Sequence, residues 1–87
     1  MAVSDVISEM QKISSVLRMA SMLPGLSALA LEADALDSLV ADPGKVQKIY
    51  DAVEQGISFI EAAVNFMRDN GLSEAVHYLT TWGHRAA

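Results

Sequence analysis

Residues 45–70, KVQKIYDAVEQGISFIEAAVNFMRDN, carry two apolar stripes where an ordinary amphipathic helix carries one. Val46, Tyr50, Val53, Ile57, Ile60, Val64 and Met67 recur at alternating spacings of four and three. Ile49, Ala52, Gly56, Phe59, Ala63 and Phe66 recur at alternating spacings of three and four. At about 100° per residue the stripes merge into an apolar arc of about 200°, roughly twice what a surface helix shows. A single helix across this segment must therefore touch two neighbours, either at the centre of a bundle or at a subunit interface.

The flanks set the limits of that helix. Asp42-Pro43-Gly44 precedes it, with Asp42 suited to the N-cap and Pro43 to the first helical position, where its missing N–H costs nothing. Asn70-Gly71 follows, with Gly71 able to take the left-handed conformation at C′. The spacing thus predicts one long helix over 43–70, with a periodic part roughly 39 Å long at about 1.5 Å per residue.

Upstream, Leu26, Leu29, Ala33, Leu36 and Val40 form one seam of a helix over 26–41, and Glu32, Asp34 and Asp37 point away from it as a solvated acidic face continued by Asp42. Its short link to the long helix predicts antiparallel neighbours. Before it, Val3, Val6, Met10, Ile13, Leu17 and Ala20 mark a helix over 4–22, with Ser4 as N-cap and Asp5 at the positive end of the dipole. Pro24-Gly25 breaks the pattern and permits either a hairpin or an opening that exchanges helices between chains. Downstream, Ser73 is expected to cap a short helix over 73–82, with Ala75, Val76, Leu79 and Trp82 on its inner face and a frayed tail from His84. The expected fold is all-α, a small antiparallel helical bundle of three long helices plus a short C-terminal helix, forming a single domain over 1–87.

The first helix would be only roughly 28 Å long, so part of the third lacks a partner within the chain. The second stripe (Ile49, Ala52, Gly56, Phe59, Ala63 and Phe66) is therefore the candidate interface. Gly56 inside a helix costs about 1 kcal/mol relative to alanine. That cost suggests close helix approach, with a neighbour's Phe59 and Phe66 lying over Gly56 and Ala63. Ordinary packing within the chain and a ligand groove are the other readings of the same pattern.

Composition narrows the function classes. A chain of 87 residues buries only roughly 60–65% of its unfolded surface, so association would help stabilise it. Hydrophobic residues make up 52% and aromatics only 6%, a helix-forming mixture that argues against disorder. Without cysteine there is no disulfide, zinc-thiolate or thiol chemistry. The net charge of −5, with six basic residues scattered along the chain, argues against a nucleic-acid-binding surface. Asp5 and Glu9 interrupt any signal-peptide pattern, and the apolar stretch from Met19 to Leu31 is too short and too broken to span a bilayer. The expectation is a soluble protein, cytoplasmic or exported without a leader.

No constellation points to chemistry. His77 and His84 stand seven residues apart, about 10 Å on a helix, whereas helical metal-ligand pairs sit three or four apart. There is no nucleophile elbow, phosphate loop or HExxH motif. No catalytic, cofactor or metal residues are therefore expected, and the chain does not read as an enzyme. Met10, Met19, Met22 and Met67 read first as core filling; the other reading is an adaptable partner surface, chiefly at Met19 and Met22 beside the Pro24 break. Trp82 would close one end of the bundle or, with Tyr78, anchor a partner. The leading expectation is a non-enzymatic helical interaction module that self-associates as a structural or assembly component. The alternative is an adaptor or inhibitor that docks a helical face onto a target protein. Membrane-surface activity ranks lowest, because the polar face of the first helix is nearly balanced in charge instead of basic.

Overall fold

The computed structural model describes the backbone of residues 2–86 and the side chains of residues 2–81. Five helices follow one another: α1 (Val3–Ala20), α2 (Ala28–Val40), α3 (Pro43–Glu54), α4 (Phe59–Asp69) and α5 (Ser73–Ala86). Among the described residues there is no strand. The all-helical class matches the sequence reading, but the described residues form five helices instead of four.

The first two helices pack as their periodicity requires. α1 buries Val6, Met10, Ser14, Leu17 and Ala20, and α2 buries Leu29, Ala33, Leu36 and Val40. These faces meet, and the break at Pro24-Gly25 turns the chain back instead of releasing α2 outward. Ser14 is the polar member of the core, and its hydroxyl donates to the Ala33 carbonyl at 3.3 Å. That bond offsets the cost of burying a hydroxyl. At the start of α1 the expected cap is displaced. Ser4 lies inside the helix, Ala2 holds the N-cap position, and the Asp5 carboxylate accepts the Ala2 N–H at 2.8 Å.

The long helix over 43–70 is two helices, and this is the main correction to the sequence reading. Its expected length of about 39 Å exceeds the longest dimension of the whole fold, 37 Å. Gly56 is not a helical residue under close approach: its φ is +100°, and a Cβ built on it would meet nothing within 4 Å. It is the C′ residue of α3. The Gly56 N–H donates to the Val53 carbonyl at 3.0 Å and the Ile57 N–H to the Ala52 carbonyl at 3.1 Å. This pair of bonds is a Schellman motif, which satisfies carbonyls that a helix end would otherwise leave free. Ser58 then starts α4, its hydroxyl accepting the Glu61 N–H at 3.2 Å.

The same corner recurs at the next junction. The Gly71 N–H donates to the Arg68 carbonyl at 3.2 Å, and the Leu72 N–H to the Met67 carbonyl at 2.9 Å. Gly25-Leu26-Ser27, Gly56-Ile57-Ser58 and Gly71-Leu72-Ser73 share one pattern, and their glycines have φ of +82°, +100° and +80°. Glycine takes that conformation without the Cβ penalty, and the aliphatic residue after it turns inward onto the core.

Asp34, Asp37 and Asp42 are exposed, as the sequence reading has them, while Glu32 is half-buried. Arg18 of α1 bridges two of them, its Nη1 meeting Asp34 at 2.8 Å and its Nη2 meeting Asp37 at 2.7 Å. The hydrogen bond to Asp34 is the main reason its pKa lies above the ordinary arginine value. Glu32 caps α5, and Asp42 caps α3 by accepting the Gly44 N–H at 2.9 Å. Ser73, expected as a cap, is the first residue of α5. α5 runs on to Ala86, past the end expected at residue 82, so residues 84–86 continue the helix instead of forming a frayed tail. The inner-face reading of Trp82 concerns a side chain outside the described residues.

Candidate interaction surface

The split of the long helix redistributes the second stripe. Ile49 (1% exposed), Ala63 (1%) and Phe66 (7%) belong to the core of the chain. Ala52 and Phe59 are half-buried against that core, and Gly56 is exposed in the turn. The six residues therefore form no continuous exposed face. Three of them, Ile49, Ala52 and Phe66, come together along a cleft of about 280 Å³ between α3 and α4, where Lys45 and Lys48 stand at the rim.

The exposed apolar surface lies elsewhere. Among the described residues the large hydrophobic side chains in solvent are Met19 (69% exposed), Met22 (85%), Leu23 (53%), Leu31 (74%) and Ile60 (65%). Met19 lies in the last turn of α1, Met22 and Leu23 in the corner joining α1 to α2, and Leu31 in the first turns of α2. Local bonds fix that corner. The Ser21 N–H donates to Leu17, Met22 to Met19, Leu23 to Ala20 and Leu26 to Leu23, each through backbone groups at 2.9–3.2 Å. With the backbone satisfied internally, the side chains of Met19, Met22 and Leu23 are left on the outside of the turn.

A groove of about 510 Å³ opens beside this corner, between the start of α2 and α5. Leu23, Leu26, Ala28 and Leu29 form one wall, and His77 and Tyr78 face them from α5. Leu23 thus belongs to both the exposed patch and the groove wall. The sequence reading favoured core filling for Met19 and Met22, with a partner surface as the alternative, and both are exposed; it did not point to the groove, which forms only when α5 folds beside α2. His77 lies exposed at the groove edge, and Met10 and Met67 are fully buried. Among the described residues no helix is long and apolar enough to cross a membrane.

No family model, curated protein or solved structure matches the chain.

Proposed function

We propose that this protein is a non-enzymatic helical interaction module that self-associates, and that the α1–α2 corner is the face it uses. The observation that carries this reading is the exposure of Met22 and Leu23 in the corner and of Met19 and Leu31 on the helices that flank it, with Leu23 also lining an apolar groove. Clustered exposed apolar side chains are uncommon on a soluble monomer and mark contact surfaces. Methionine suits such a surface because its unbranched chain adapts to the opposing shape.

Self-association follows from the placement of protrusion and recess. In a two-fold pair each copy presents the same patch to the other. Here the protruding Met22 and Leu23 adjoin the groove, so a two-fold arrangement can seat each copy's corner against the other's groove. A dimer of this kind would serve a structural or assembly role. The second reading is an adaptor that offers the same corner to a different protein, and the net charge of −5 favours it by setting identical copies against each other.

Light scattering across a range of concentrations decides between them. The expected result is a dimer at high concentration that Met22→Glu converts to a monomer with unchanged helicity, while Ile60→Glu, away from the corner, leaves the mass unchanged. A monomer at every concentration overturns self-association and leaves the corner to the adaptor reading.

A further inference from the structure

Methionine is the only sulfur-bearing residue of this chain, which has no cysteine. Its sulfurs fall into two environments. Met19 is 69% exposed and Met22 85%, whereas Met10 and Met67 are fully buried. A hydroperoxide in solution reaches Met19 and Met22 on the folded protein. It reaches Met10 and Met67 only when the chain unfolds.

The exposed pair is held on one side of its turn. The Met22 N–H donates to the Met19 carbonyl at 3.2 Å, a bond that spans three residues. In a turn tightened this way, side chains three apart eclipse one another, so both thioethers leave the corner in the same direction. Leu23 follows them into the wall of the α2–α5 groove. The bonds that shape the corner, from Leu17 to Leu26, are all made by main-chain groups. A chemical change at either sulfur therefore leaves them intact.

We propose that Met19 and Met22 form a modification site, where oxidation by a hydroperoxide to methionine sulfoxide switches off association at the α1–α2 corner without unfolding the chain. The switch requires the self-association proposed above. In the reaction the O–O bond of the hydroperoxide breaks. Its terminal oxygen bonds to the methionine sulfur, which is oxidised by two electrons. The proton on that oxygen passes to the other one, which leaves as an alcohol, or as water from hydrogen peroxide. A polar, chiral sulfoxide then stands where an adaptable apolar side chain stood. In the monomer its oxygen is hydrated. Against the Leu23, Leu26 and Ala28 wall of a second copy it loses that water, and the burial becomes unfavourable. Both sulfurs are covered in the dimer, so they react in the free copy, which oxidation then traps.

Hydrogen peroxide treatment of the full chain tests this, followed by peptide mass spectrometry, circular dichroism and light scattering across a range of concentrations. The expected result is one added oxygen on each of Met19 and Met22, none on Met10 or Met67, and unchanged helicity. The Kd of the dimer should rise about tenfold or more. Methionine sulfoxide reductases should restore the dimer. The Met19→Leu, Met22→Leu protein, compared with itself before treatment, should not respond to peroxide. A dimer that stays as tight once both sulfurs are oxidised overturns the switch and leaves self-association standing. So does a loss of dimer that the leucine variant shows equally, or one that comes with oxidised Met10 and lost helicity. Untreated protein that is monomeric at every concentration overturns self-association itself, and the switch with it.

Discussion

The Glu32 carboxylate, in the second turn of α2, accepts the backbone N–H of Ala75 at 2.7 Å and that of Glu74 at 3.3 Å. The first N–H groups of a helix have no partner within it. At α5 the partner comes from a different helix, more than forty residues earlier in the chain. A negative charge there also meets the positive end of the α5 dipole. The contact fixes the start of α5 beside α2 and so holds open the groove between them.

Glu32→Ala should therefore lower stability by about 1–2 kcal/mol, the usual cost of losing an N-terminal cap. Glu32→Gln keeps an acceptor without the charge and should lose less. Urea unfolding followed by circular dichroism measures both. An alanine variant as stable as the parent would show that the cap contributes nothing to folding.

Substitutions at Gly56 separate backbone strain from crowding. Its φ of +100° penalises any side chain, yet the space around a Cβ is empty. Gly56→Ala and Gly56→Leu should each cost about 1 kcal/mol, with little difference between them. Gly56→Asn should recover part of the loss, because asparagine tolerates the left-handed region. Thermal unfolding of the three variants is the measurement. A leucine variant far less stable than the alanine one would restore the close-packing interpretation of this glycine.

How much of this was legible in the sequence depends on range. The seams of α1 and α2 were readable because a single helix imposes their spacing, and Val6, Met10, Leu17, Leu29, Ala33, Leu36 and Val40 are all buried. The break at Gly56 was also written locally. Gln55-Gly56-Ile57 is a helix stop, and Ser58 with Glu61 three residues on is a helix start. Those signals were masked because both stripes keep their spacing through the corner. A Schellman turn followed at once by a new cap leaves the apolar count almost in phase, so periodicity alone cannot see it. The role of Glu32 was not legible at all, since its partners lie on a helix whose position depends on the whole fold. The six residues of the second stripe form no continuous exposed face for the same reason. Ile49 and Phe66 needed no second chain once α4 could fold back beside α3.

The phenol of Tyr50 has a pKa above its ordinary value of 10.0, first because of a hydrogen bond with Glu54 and then because of that carboxylate's charge. A raised pKa means that the folded state favours the neutral phenol. Its contribution to stability is complete below about pH 10 and declines as pH rises through the folded-state pKa. In a Tyr78→Phe background, ultraviolet absorbance follows Tyr50 alone. Glu54→Gln should bring its titration to lower pH. An unchanged titration curve would remove Glu54 as the cause.

Phe66 and Met22 give opposite expectations because one lies in the core and the other in solvent. Phe66 is 7% exposed and Met22 85% exposed. Phe66→Ala should cost about 3–5 kcal/mol through lost burial and the cavity left behind. That is a large share of the roughly 5–15 kcal/mol that stabilises a typical domain, so the variant should be partly unfolded at room temperature whatever its concentration. Met22→Ala should change stability by less than about 0.5 kcal/mol when measured on dilute protein, where association makes no contribution. Its effect should appear in the concentration dependence of the molar mass. Unfolding and light scattering on both variants test this together. If Phe66→Ala instead dissociated an intact, helical monomer, the second stripe would be an interface between chains after all, and the α1–α2 corner would lose its claim to that role.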